Sequence, residues 1–292
     1  MPQTIPPLLA ERLRTNTTHR PDRQWRKPKF IHKLAISAFR LRKHAQNIQQ
    51  KHATQKAALM PTVIARHQSL LLKKLGDNNE ALQVQKVRNL DIAAKSIDRI
   101  VIQPGQTFSY WYSIKRPQKK HGYVDGMLLS QGKVIAGIGG GLCQLSNLLY
   151  WLCLHGPFEI VERSHHSYDV FPDSGRVLPF GSGATVFYNY VDLVVRNTST
   201  EPQQLHIWLT DRHLKGQILS TTPASNKFSV REENHYFVHW HEHWYRYNEL
   251  YRDYLDRGKL VKSELITTNL APVLYPVSKS ELLAKQYQVL EI

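Results

Sequence analysis

The sequence predicts an α+β protein, with a helical N-terminal region, a central helix that carries a Gly-Gly-Gly-x-Cys motif at its N-terminus, and a mostly antiparallel β-sheet in the second half. Three observations lead there. Leu142, Leu145, Leu148, Leu149 and Leu152 recur at the three-to-four spacing of one helix face. Downstream, β-branched and aromatic residues fill short runs bounded by Gly, Pro, Asn and Ser, which is strand chemistry. A hydrophobic share of 41% over 292 residues supplies a sizeable core and excludes a globally disordered chain.

Taken in order, residues 1–29 hold Pro2, Pro6, Pro7, Pro21 and Pro28 among polar residues and read as a loose leader. From Phe30 to about Ala58 the chain is proline-free and helix-prone, with Leu34, Ala38, Leu41 and Ala45 on one face and Lys33, Arg40, Arg42 and Lys43 between them. Such a basic helix either lies on an anionic membrane surface or packs on the following domain. Pro61 breaks it, and "TVIARHQSLLLKKLG" suggests a second helical stretch ending at Gly76. Ile92, Ala93, Ile97 and Ile100 suit a short helix, residues 100–102 a strand, "QPGQ" a turn, and residues 107–112 another strand. After the basic loop "KRPQKKHG", "MLLSQGKVIAGI" reads as a hairpin turning at Gln131-Gly132. His155-Gly156-Pro157 closes the central helix, so Cys143 falls in its first turn and Cys153 in its last. "FEIVERSHHSYDV", "GATVFYNYVDLVVRN" and "QQLHIWLTD" read as strands, and more strand-like pieces follow from about Gly216. The expected division is 1–58 for the basic front, 59–215 for the central domain and 216–292 for a strand-rich extension packed on it.

Lys and Arg outnumber Asp and Glu by 39 to 23, a net +16 that favours anionic partners: nucleic acid, a phospholipid surface or an acidic envelope polymer. Much of the excess lies in the first 75 residues, and the chain lacks a convincing nucleic-acid reading module, which argues against nucleic acid. No apolar run approaches the roughly 18 residues a membrane span needs. The start, "MPQTIPPLLAERLR", does not show a basic stretch followed by an apolar one. The expectation is a cytoplasmic chain, peripheral at the membrane if its basic front lies on that surface rather than on the following domain. Cys143 and Cys153, ten residues apart on one helix, would stand about 15 Å apart. A disulfide needs Cα atoms about 4.4–6.8 Å apart, so both are expected to be free thiols.

A thiol at a helix N-terminus meets the positive end of the dipole and unpaired N–H groups, which favour thiolate. The glycines before it allow close approach of a substrate, and adjacent N–H groups can hold an oxyanion. A thiolate nucleophile also needs a base, and "ERSHHSYDVF" offers His165 and His166. Two readings stay open for Gly-Gly-Gly-Leu-Cys: a nucleophile, or a tight turn with a core thiol. "GIGGGL" fits no nucleotide-binding pattern. His239, His241 and His243 alternate, so one strand face would carry all three, either as a metal site or as a solvent-facing row. Tyr245 stands where a zincin motif needs its second His, and no metal is assigned.

"PGQTFSYW", "GGGLCQLSNLLYW", "ERSHHSYDVFP", "GSGATVFYNYVDLVVRN" and "QLHIWLTD", in that order over about residues 60–215, resemble the VanW family, named after an accessory protein of glycopeptide-antibiotic resistance clusters. Some exported members are understood to be cysteine peptidoglycan transpeptidases that make 3–3 cross-links. The resemblance implies that Cys143 is the nucleophile and that His166, matching the family's His-Ser-Tyr, is the base. Gly139, Gly140, Gly141, Gln144, Arg163, Ser167 and Tyr168 are the residues expected to bind the peptidoglycan stem peptide or precursor. The resemblance implies no cofactor. Cross-linking takes place outside the membrane, so a chain without a visible signal is exported unrecognised, acts on a cytoplasmic precursor, or is a non-catalytic accessory. Asp192 is the carboxylate expected to fix the His tautomer, with Asp169 the alternative. Glu162 and Arg163 orient the imidazole, bind a substrate carboxylate, or pair with each other. Gln144 helps the oxyanion site or caps the helix.

Overall fold

The computed structural model describes residues 5–15, 37–38, 41–43, 45, 50–72, 80–130, 133–165, 167–170, 172–173, 177–224 and 226–292. The fold is α+β. Around the central helix α4 (Cys143–Leu154) the chain forms three antiparallel units. One sheet has the order β1-β9-β8-β2, from Thr62–Leu70, His213–Ser220, Gln203–Leu209 and Val101–Ile102. A second has the order β3-β7-β6, from Thr107–Ser109, Val194–Asn197 and Phe158–Glu162. The third is a hairpin of β4 (Asp125–Ser130) and β5 (Lys133–Ile138), in register from Asp125–Ile138 to Ser130–Lys133, which agrees with the expected turn. The long meander β10 (Asn226–Trp240), β11 (His243–Asp256) and β12 (Lys259–Pro272) forms the C-terminal sheet, and β13 (Gln288–Glu291) adds parallel to β10. The expected division at 215/216 falls inside β9.

The core explains why α4 is central. Leu145, Leu148, Leu149 and Leu152 are all at most 2% exposed and pack with Leu205 and Ile207 of β8 and Leu214 and Ile218 of β9. Helix α2 (Glu80–Ile97) covers the same core through Leu90, Ala93, Ala94 and Ile97, and is longer than the short helix expected there. At about 25 cal/mol per Å2 of apolar area, each such leucine contributes roughly 2 kcal/mol.

Several local expectations are corrected. Residues 62–70 form strand β1, not a helix: Thr62, Val63 and Ile64 are β-branched at its start, and β9 offers an antiparallel partner along the whole length. Residues 107–112 are a strand only to Ser109, which then caps helix α3 (Tyr110–Ile114) by accepting from the Tyr112 amide at 3.1 Å. The leader is not loose throughout. Helix α1 (Pro7–Thr15) inserts Leu9 and Leu13, four residues apart, among Val238, Tyr245, Tyr247 and Leu290 of the C-terminal sheet. In the basic front, the described positions between 37 and 50 are helical, but residues 52–55 leave the helix and bond to the core through their backbone. The Ala53 amide donates to the Thr107 carbonyl at 2.7 Å, and the Val101 amide to the Gln55 carbonyl at 2.8 Å. The two long strand expectations downstream shorten to β6 and β7. The His row is no single face: His239 is the penultimate residue of β10, His241 and Glu242 make the turn with φ of 46° and 63°, and His243 starts β11.

Candidate active site

Cys143 opens α4 after a turn in which Gly139 and Gly141 take φ of 76° and 93°. The room left by the absent side chains is filled by the protein itself. A Cβ at Gly140 would lie 2.0 Å from the Gly126 carbonyl carbon, and one at Gly141 would lie 2.5 Å from Lys86 Cβ. The turn is therefore wedged between β4 and α2, and close approach of backbone to backbone is what requires glycine there. Asn89, fully buried on α2, locks it. Its Nδ2 donates to the Val124 and Gly140 carbonyls at 3.0 and 2.9 Å, and its Oδ1 accepts from the Val124 amide at 2.9 Å. Sequence reasoning missed Asn89; the one signal was an amide beside Leu90 on an apolar helix face.

Residues 143, 146, 147 and 150 share one face of α4, and that face grips the segment 181–187. Cys143 Sγ donates to the Val186 carbonyl at 3.8 Å. Ser146 Oγ donates to the Ala184 carbonyl at 2.6 Å, and Asn147 Oδ1 accepts from the Ala184 amide at 2.7 Å. Arg163 lies over the Tyr150 ring at 4.8 Å and donates to the carbonyls of Gly181 and Gly183 and to Thr267 Oγ1. On the far side of the segment, Thr185 pairs with Ser164, one residue before His165. The thiol is half-buried and the burial pushes its pKa up from the ordinary thiol value. Burial holds the protonated form, against the backbone of Val186 and of Cys143 itself, which pulls the value down. The thiolate expected from the helix N-terminus is outweighed by desolvation. Tyr110 Oη donates to the Leu142 carbonyl at 2.9 Å, beside the thiol. Cys153 is free as well, sealed at the other end of α4, with its pKa pushed up to about 12 by burial.

The expected partners distribute as follows. His166 lies outside the described residues. His165, Ser167 and Tyr168 are exposed. Asp192, almost wholly buried, accepts from Ser109 Oγ at 2.6 Å, the Trp111 amide at 3.1 Å and the Leu193 amide at 2.9 Å, and among the described residues these donors, not an imidazole, are its hydrogen-bond partners. Burial raises its pKa to about 6, against the pull of those donors and of Lys43 at 3.9 Å. Lys43 also pairs with Glu162, whose Oε1 accepts the Asp192 amide at 3.2 Å, so Glu162 and Arg163 look in different directions. His52, 4% exposed and held by Thr107 Oγ1 at 2.8 Å, has its pKa lowered to about 4 by burial first and Lys43 second. Gln144 Nε2 donates to Ser69 Oγ and the Leu70 carbonyl, tying α4 to the end of β1. Asp169 is drawn away to the C-terminal sheet, where Arg246 and Tyr275 bind it. Among the described residues no group of three His, Cys, Asp or Glu could hold a metal ion, and no helix is long and apolar enough to cross a membrane.

An α+β scaffold with a cysteine set between a glycine turn and a core helix defines the class of protein. The family profile described as VanW like protein matches residues 85–219. The chain is 32% identical over 200 residues to the vancomycin B-type resistance protein VanW of Enterococcus faecalis (strain ATCC 700802 / V583), covering 68% of this chain and 73% of that one. It is also 27% identical over 143 residues to the uncharacterized protein YoaR of Bacillus subtilis (strain 168), covering 49% of this chain and 44% of that one. The chain belongs to the VanW family. No solved structure is significantly similar to it.

Proposed function

We propose that the chain is a cysteine-dependent acyltransferase of peptidoglycan stem peptides, of the L,D-transpeptidase type and linked to cell-wall metabolism or glycopeptide resistance. Cys143 Sγ attacks the carbonyl of the third stem residue as its proton passes to His166. The C–S bond forms, the amide to the terminal D-amino acid breaks, and His166 returns the proton to the leaving amine. An amine of a neighbouring stem then attacks the thioester, the C–S bond breaks, and a 3–3 amide remains. The supporting observation is the placement of Cys143: half-buried at the first turn of α4, under a segment that itself pairs with the chain entering His165-His166-Ser167-Tyr168. Because the resting thiol is neutral, the reaction needs a general base rather than a preformed ion pair.

A second reading is favoured by one observation. Arg163 and Gln144 spend their donors on the protein's own carbonyls, and the glycine turn is filled from within, as in an accessory that holds a precursor or partner without chemistry. One experiment separates the two. The purified protein is given disaccharide-tetrapeptide muropeptides, and mass spectrometry follows released D-alanine, cross-linked dimers and an acyl adduct on Cys143. Acyl transfer predicts all three in wild type and in Cys153→Ala, and none in Cys143→Ala. Muropeptide binding without turnover, undiminished in Cys143→Ala, selects the accessory.

A further inference from the structure

Arg246 lies on β11, outside the residues matched to the family, and is 2% exposed. A guanidinium sealed to that degree must have its donors answered. Three of its hydrogen bonds fix two points of one loop: Nη1 donates to Asp173 Oδ1 at 2.9 Å and Asp169 Oδ2 at 3.4 Å, and Nη2 to Asp173 Oδ2 at 2.5 Å. Nε donates to His235 Nε2 at 2.8 Å on the neighbouring strand, and the rings of Phe180 and Phe237 flank the cation at 4.9 and 5.2 Å. The loop is bonded to the C-terminal region at the same two points by other groups. The Asp169 amide donates to the Pro272 carbonyl and its carbonyl accepts the Leu274 amide, both at 2.9 Å. Tyr275 Oη reaches Asp169 Oδ2 at 2.9 Å, and Tyr287 Oη reaches Asp173 Oδ2 at 2.8 Å.

We infer that Arg246 is a positioning residue: through Asp169 and Asp173 it fixes the chain that follows Ser167 and Tyr168 to the C-terminal sheet, and so constrains the motif that the acyl-transfer reading uses. The C-terminal sheet is then a clamp for a motif of the central domain. The clamp stands on geometry alone; its catalytic consequence rests on the acyl-transfer reading.

The test uses the full chain as Arg246→Lys, Arg246→Met and the charge-balanced Arg246→Met/Asp173→Asn, the last in case the single Met variant fails to fold. Hydrogen exchange is read at the amides of Asp169 and Leu274 and, as controls, at Ala184 and within α4. At least tenfold faster exchange at Asp169 and Leu274 is expected, with the controls unchanged and Lys intermediate, since it keeps the charge and loses the fork. In muropeptide turnover, kcat should fall while KM stays within twofold. Unchanged exchange at Asp169 and Leu274, or equal acceleration at the controls, overturns the clamp. Faster loop exchange with kcat unchanged overturns the positioning role. A wild type without turnover defeats the acyl-transfer reading, and the exchange arm still decides the clamp.

Discussion

Cys143 and Val186 meet through one contact, the thiol donating to the main-chain carbonyl over 3.8 Å. That geometry uses the thiol's proton, and burial favours the protonated form against the downward pull of the Val186 and Cys143 backbone. Iodoacetamide reacts with thiolate, so labelling should discriminate the two cysteines. Cys143, half-buried, should be modified slowly at pH 7, with a rate still climbing above pH 9. Cys153, 2% exposed, should stay unmodified until the protein unfolds. Peptide mapping of the labelled sites checks both. A Cys143 rate that levels off near pH 7 would mean that the helix N-terminus wins over desolvation after all.

Stability should depend on pH through two buried groups that oppose each other. Asp192 is raised from 3.8 to about 6, so its contribution is fully present below pH 3.8 and lost as pH rises through 6. His52 is lowered from 6.5 to about 4, so its contribution is present above pH 6.5 and lost as pH falls through 4. Within pH 4–6 the two largely offset each other. His52→Gln should therefore make the protein gain stability on acidification across that window. Asp192→Asn should make it lose more than wild type. Urea midpoints at pH 4, 5 and 6 measure this, and parallel curves for all three proteins would contradict the assignment.

The glycine turn offers a third prediction. Gly140→Ala places a Cβ against the Gly126 carbonyl carbon, a backbone atom that cannot rotate away, and should cost on the order of 1–3 kcal/mol or more. Asn89→Leu strands the Gly140 carbonyl and the Val124 amide, while the Val124 carbonyl still accepts the Gly139 amide, at roughly 1–3 kcal/mol for each buried group left unpaired. Because the two sites share that turn, the double variant should lose less than the sum of the singles. Full additivity in denaturant unfolding would separate them.

How much of this the sequence disclosed follows the range of the interactions. The leucine face of α4, the proline turn after β2 and the hairpin β4–β5 are local patterns, and each was legible. The strand β1 was not, since "IARHQSLLL" satisfies a helical period as well as an alternating one and only its pairing with β9, some 150 residues away in the chain, decides. Ser109 as a cap was obscured by the β-branched and aromatic residues around it. For the site, Cys143 and its glycine turn could be read from residue types alone. What surrounds them could not: Asp192 serves the α3 cap because Ser109 lies 83 residues before it, and Arg246 meets Asp173 across 73 residues. Such partners are chosen by topology, which a motif does not encode.

The last prediction concerns the front of the chain. Leu9 and Leu13 of α1 are 0% and 7% exposed against the C-terminal sheet, so Leu9→Ala and Leu13→Ala should each cost about 2–5 kcal/mol. Removing residues 1–58 also takes away His52 and Ala53, whose backbone pairs with Thr107, so that truncation tests folding rather than surface binding. A cleaner probe of the basic front keeps the chain whole and neutralises Lys33, Arg40 and Arg42 as Gln. If the front holds the protein to an anionic membrane surface, each cation there contributes about 1 kcal/mol and is screened within roughly a Debye length. Binding of wild type to phosphatidylserine vesicles should then weaken steeply between 50 and 300 mM salt (approximate working range for a Debye length of about 14 to 6 Å), and the triple variant should bind far less at the lower salt. Lys43 is left in place because it is committed to Glu162 and Asp192. Equal vesicle binding by the triple variant and wild type would leave the front a packed part of the fold with no anchoring role.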